Sequence, residues 1–233
     1  MRNLGPLVRT VGAVVLLGSA LTAATSPLAA QVTVGSTSSY NCLPFSCMGF
    51  QSYNGYQQVY AATAFGSSMN IGQVNFFMDG AWPGLFDGNT FQLSLSTVGF
   101  GPGGFGTAID ANLGADNTLV WSGVLSGPVP AITSFDLTTP FFYDPALGNL
   151  LLDIRVIGGN VLFSSWAFLD ADFGGSQMGR ALYVDGVRSE EVPNYGLVTE
   201  FDPAVVPEPA SMTLLATGLA GMAAAARRKR RRS

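Results

Sequence analysis

The 233-residue chain is 48% apolar and only 11% charged, and its formal net charge is −4. It has no His, and its one Lys is Lys229, which excludes a Ser-His-Asp triad, a Cys-His dyad, a His-ligated metal and Schiff-base or Ser-Lys chemistry. Across residues 31–206, 14 Asp and Glu face only Arg155, Arg180 and Arg188, a net of −11 that excludes the basic surface nucleic acid requires.

Residues 1–30 read as a signal peptide. Arg2 and Arg9 form a positive start, residues 11–21 an apolar run, and Pro27 breaks any helix before Ala29 and Ala30. Cleavage is expected after Ala30, with the secretion translocon and signal peptidase as partners. In the oxidising compartment beyond, Cys42 and Cys47 are an even pair and are expected to form one local, structural disulfide; Cys-x-x-Cys redox spacing is absent.

Residues 31–205 are expected to form one all-β domain, because apolar and polar residues alternate at period 2. Phe91, Leu93 and Leu95 alternate with Thr90, Gln92, Ser94 and Ser96; Phe135 and Leu137 alternate with Ser134, Asp136 and Thr138. In residues 149–156, Leu150, Leu152, Ile154 and Val156 are expected to face inward, with Asp153 and Arg155 toward water. Further strands are expected near residues 57–64, 71–78, 118–124, 161–169, 180–185 and 196–201, separated by turns such as Asp87-Gly88-Asn89 and Gly158-Gly159-Asn160. Eight or nine such strands with one wet face point to an antiparallel β-sandwich, jelly-roll-like in order. Residues 79–89 and the Gly-rich residues 99–106 are expected to be loops.

The chemistry left to such a domain is that of carboxylates and aromatics. Glycosidase action needs two carboxylates at a set spacing, but Glu190 and Glu191 are adjacent and would point to opposite faces of a strand. Asp110, Asn112 and Asp116 place oxygen ligands at intervals a calcium loop could use, without the later bidentate Glu; turn-forming aspartates fit the same pattern. No other cofactor is suggested. Trp82, between Ala81 and Pro83, is a candidate for stacking on sugar rings, whereas Trp121 and Trp166 suit core packing.

Residues 206–233 have three parts in fixed order: Val206, Pro207, Glu208 and Pro209; an uncharged stretch at 212–226; and Arg227, Arg228, Lys229, Arg230, Arg231 and Arg232. The stretch measures about 22 Å as a helix against a hydrocarbon core of about 30 Å, a short transmembrane span whose basic flank stays cytoplasmic. This arrangement resembles the PEP-CTERM sorting signal of Gram-negative bacteria. The resemblance implies recognition by exosortase, a membrane-embedded transpeptidase-like enzyme, transient anchoring in the inner membrane, and delivery to the cell surface or extracellular matrix. Residues 57–60 and 139–153 are also similar to uncharacterised ectodomains found ahead of such tails, which implies a sandwich and no known activity. The leading expectation is a non-catalytic surface or matrix protein. A carbohydrate-binding module acting on exopolysaccharide is second, and a small jelly-roll glycosidase third.

Overall fold

The structure is a computed structural model that describes residues 30–47, 53–80, 84–159, 167–205, 217–219, 221–222 and 227–228. The expected signal peptide lies outside the described residues, apart from Ala30. The described domain is all-β. Its strands are β1 (Val32–Val34), β2 (Ser39–Asn41), β3 (Gly55–Tyr60), β4 (Met69–Phe77), β5 (Leu85–Val98), β6 (Thr118–Pro128) and β7 (Ile132–Tyr143). They continue as β8 (Asn149–Gly158), β9 (Leu169–Phe173), β10 (Met178–Val184), β11 (Val187–Val192), β12 (Tyr195–Leu197) and β13 (Thr199–Pro203).

All strand pairings are antiparallel. One sheet has the order β1-β13-β4-β7, a second β11-β10-β3-β8-β5-β6, and a small third sheet β12-β9-β2. The first two face each other as a sandwich, because their inner faces supply one core: Ile71, Val74, Phe135 and Phe201 from one side, Tyr60, Leu93, Leu152 and Ile154 from the other. Edge-on aromatic pairs cross the interface, as between Tyr60 and Phe201 at 5.0 Å.

The alternation of β7 behaves as its sequence requires, with Phe135 and Leu137 buried and Ser134, Asp136 and Thr138 exposed. β8 does not. Asp153, expected to face water, is buried, because residues 99–117 fold back over the outer face of the six-stranded sheet. There Phe105 and Ile109 form a satellite core with Val59, Leu151, Ala181 and Tyr183, so both faces of β3 and β8 are covered.

Two other expectations are corrected. Asp87-Gly88-Asn89 is not a turn between strands but a bulge inside β5, where Gly88 takes φ +79° and the register with β6 slips. Most of the strand expected at 161–169 lies outside the described residues; within them, β9 begins at Leu169. The strand expected at 196–201 is divided between two sheets, β12 in one and β13 in another.

Candidate functional site

Two adjacent glutamines in β3 organise the polar interior. A strand sends successive side chains to opposite faces, so Gln57 and Gln58 serve different sides of the sheet. Gln58 acts as a substitute strand. Its Nε2 donates to the Leu197 carbonyl and its Oε1 accepts from the Leu197 N–H, each at 2.8 Å, and the Tyr56 hydroxyl donates to the same oxygen. This amide ties β12 to the six-stranded sheet where no ladder connects them.

Gln57 is the hub on the outer face. Its Oε1 accepts from Asn112 Nδ2 at 2.7 Å, and its Nε2 donates to Asp153 Oδ1 and to the Ile109 carbonyl, both at 3.0 Å. Asn112 Nδ2 also donates to the Tyr183 hydroxyl at 2.7 Å, and its Oδ1 accepts from the Gly106 N–H at 2.6 Å. Arg155 closes the chain, with Nε donating to both Asp153 oxygens at 3.0 and 2.8 Å and Nη2 to Asp110 at 2.9 Å.

Burial pushes the Asp153 carboxyl up, and the Arg155 guanidinium opposes that push. For Arg155, burial pulls downward, but Asp153 and Asp110 together leave it above its ordinary value. The Tyr183 hydroxyl is pushed up to about 12 by burial. A shallow groove of about 270 Å³ borders the network, lined by Asn54, Gln92, Arg155 and Asp185 among others. The Asp153 and Asp110 carboxylates are already engaged, so the arrangement locks residues 99–117 onto the sheet.

The residues expected to hold calcium are dispersed among these contacts. Asp110 pairs with Arg155, Asn112 is buried in the amide network, and Asp116 Oδ1 accepts from the Thr97 N–H at 2.8 Å. Among the described residues, no group of three His, Cys, Asp or Glu side chains is placed to hold a metal. Glu190 and Glu191 diverge, one to Arg180 at 3.0 Å and the other to Arg188. Trp82 lies outside the described residues, as does Trp166, while Trp121 is half-buried and packs edge-on against the core residue Phe135 at 4.8 Å. Cys42 and Cys47 are joined as a disulfide, with Cα atoms 5.3 Å apart.

The other notable place is where the chain leaves the sandwich. β13 lies between β1 and β4, and its last tie is the Ala204 N–H donating to the Asn70 carbonyl at 2.7 Å. To make that tie, Ala204 crosses β4 at the bulge containing Gly72; a Cβ on Gly72 would strike the Ala204 backbone, 2.8 Å from its nitrogen. A groove of about 410 Å³ flanks the crossing, bordered by Asp136, Leu137, Pro140, Asp202 and Val205, the last of them 92% exposed.

Sequence reasoning identified the tail itself but neither Gln57 nor the crossing at Gly72. The available signal was Gln57-Gln58 set between Tyr56 and Val59, two amides inside an otherwise apolar strand. Val206, Pro207, Glu208 and Pro209 lie outside the described residues, as do Lys229, Arg230, Arg231 and Arg232. Residues 217–219, 221–222 and 227–228 are helical and exposed, which includes Arg227 and Arg228. Among the described residues no helix is long and apolar enough to cross a membrane.

The family model of the PEP-CTERM protein-sorting motif matches residues 205–231, beginning one residue beyond the last backbone tie of the sandwich. The chain therefore carries a PEP-CTERM sorting motif, which supports export and sorting to the cell surface by exosortase. None of the curated proteins and none of the solved structures matches the chain.

Proposed function

We propose that this chain is a non-catalytic exported protein, a jelly-roll sandwich that its C-terminal tail presents to exosortase for release at the cell surface or into the extracellular matrix. The observation that carries this reading is the abutment of domain and motif. Among the described residues the folded domain makes its last backbone tie at Ala204, and the motif begins at residue 205, so domain and motif abut with no other module between cargo and signal.

The strand order supports the jelly roll. β1, β3, β4 and β5 alternate between the sheets, as do β6, β7, β8 and β13, which suits the two Greek keys of a jelly roll, with the β10–β11 hairpin added beside β3. A passenger role is supported by how the ectodomain spends its ionisable groups. It has no His or Lys, and Arg155, Arg180 and Arg188 are each paired with a carboxylate in structural contacts.

In this reading, residues 212–226 hold the motif at a fixed height in the inner membrane, and the basic block prevents it from slipping through. Replacing Pro207, Glu208 and Pro209 together by Ala should leave the protein exported but retained in the membrane and untrimmed. Deleting residues 212–233 should release it as soluble, unsorted protein. Fractionation and intact-mass measurement in the native host read both outcomes. Trimming and sorting of the triple-alanine variant like the parent would replace exosortase recognition with plain anchoring.

A further inference from the structure

The four most exposed large apolar side chains of the described domain are Val205 at 92%, Leu147 at 75%, Phe142 at 64% and Phe173 at 63%. Three of them surround the exit of the tail. Phe142 is the register partner of Asn70, and Asn70 is the residue to which Ala204 is tied. Neighbouring strands are about 5 Å apart, so Phe142 stands only two strand spacings from the point of departure. Leu147 closes the turn that follows β7, its N–H donating to the Asp144 carbonyl at 3.0 Å.

The charges at this end are few but present: Asp136 and Asp202 border the groove beside Val205, and Asp116 is tied to the Thr97 N–H near the end of β5. Residues 61–68 join β3 to β4 and residues 144–148 join β7 to β8; across both loops Asp144 is the one charge. Scattered exposed apolar residues need no explanation, but a cluster at one end of a domain calls for a partner. The chain itself says which. Only residues 206–211 separate Val205 from the uncharged stretch at 212–226, a reach of at most about 25 Å when fully extended.

We propose that, while the tail is attached, this end of the sandwich rests on the lipid surface of the membrane entered by residues 212–226, with Phe142, Leu147 and Val205 against the lipid. This rests on the anchoring role given to the tail above. Such a contact would hold the domain end-on and set the orientation in which residues 206–209 are offered, and it ends when the tail is cut.

The test uses the full mature chain, residues 31–233, reconstituted into phosphatidylcholine vesicles containing spin-labelled lipid. An environment-sensitive fluorophore is placed at Phe142→Cys, Leu147→Cys or Ile132→Cys in separate samples; Cys42 and Cys47 are already joined, so the new thiol alone reacts. Ile132 is exposed on the same strand as Phe142 but ten residues away, about 33 Å. Quenching several-fold stronger at 142 and 147 than at 132, with blue-shifted emission, is the expected result. If the chain floats with the vesicles but all three labels are quenched equally weakly, the contact with lipid is wrong and the anchoring stands. Failure to float at all overturns both. A blue shift at 142 that appears without lipid and grows with protein concentration assigns the patch to a second copy and also overturns the proposal.

Discussion

Phe45 stacks on Phe135 with ring centroids 5.4 Å apart and planes 24° apart, deep in the core between the two large sheets. Phe45 belongs to the small ring closed by Cys42 and Cys47, and it also touches Phe76, Phe86 and Phe91. The neighbouring Ser46 hydroxyl accepts from the Ala167 N–H at 2.9 Å. The ring is therefore a plug that carries an aromatic into the sandwich rather than a peripheral clip. Phe45→Ala should cost about 3–5 kcal/mol, the range for emptying a buried aromatic site. Opening the ring with Cys42→Ser and Cys47→Ser should cost about 2 kcal/mol through loop entropy, leaving a folded but weakened domain. Urea melts of the two variants should differ in that order, and the reverse order would mean the ring matters more than its cargo.

One arginine holds two carboxylates of very different burial, and this separates two magnitudes. Asp153 has a side chain 5% exposed, whereas that of Asp110 is 77% exposed, and both engage Arg155. Removing Asp153 takes the acceptor from Arg155 Nε and from one of the two bonds of Gln57 Nε2, while Asp110 and the Ile109 carbonyl keep their partners, so Asp153→Ala should cost about 3 kcal/mol. The exposed pair is screened by water and should be worth no more than about 1 kcal/mol, so Asp110→Ala should be close to neutral. Chemical denaturation of the two variants checks this contrast. Comparable losses would indicate that Asp110 anchors residues 99–117 more strongly than its exposure implies.

The same region shows what periodicity can and cannot convey. The alternation of Ser134 to Thr138 and of Thr90 to Ser96 is plain in the sequence because each strand has one wet and one dry face. Asp153 was legible as a strand residue but not as a buried one, since the segment that covers it lies some 40 residues away and has no periodic pattern. β1 and β2 are three residues each, too short to show a period, and exist through their partners in β13 and β9. β11 is concealed by Arg188, Glu190 and Glu191, charges that suit an edge strand and disguise it as a loop. The tail was legible because its signal is the order of three compositions, which needs no fold.

Buried tyrosines make the domain sensitive to alkali. Tyr143 and Tyr183 are each pushed up to about 12 by burial, and Tyr56 and Tyr60 are raised further for the same reason. An unfolded tyrosine loses its proton near 10, so between about pH 10 and pH 12 the unfolded state binds fewer protons than the folded one. Stability is therefore fully present below pH 10 and falls as pH rises toward 12, with Tyr143 and Tyr183 both contributing to the loss. Tyr143→Phe forgoes the bond to the Gly148 carbonyl but should reduce the slope of stability against pH in this window. Thermal melts at intervals from pH 9 to pH 12 measure it, and an unchanged slope would rule out Tyr143 as a contributor.

Gly72 should decide where the folded domain ends. A side chain at this position meets backbone, the Ala204 crossing, rather than the movable end of another side chain. Gly72→Ala must therefore push the last residues off β4, breaking the bond from the Ala204 N–H to the Asn70 carbonyl. The loss should be local, because Thr199, Glu200 and Phe201 keep their register with both β1 and β4. Hydrogen exchange should show the Ala204 amide losing protection while Phe201 keeps it, with an overall stability loss of about 1–3 kcal/mol, typical of backbone displaced by overpacking. In the host, the variant should offer a longer free segment ahead of Pro207, so a protease probe would cut before residue 204 in the variant and only after it in the parent. Equal protection of Ala204 in both proteins would mean that β4 yields instead, and that the boundary between domain and tail is set elsewhere.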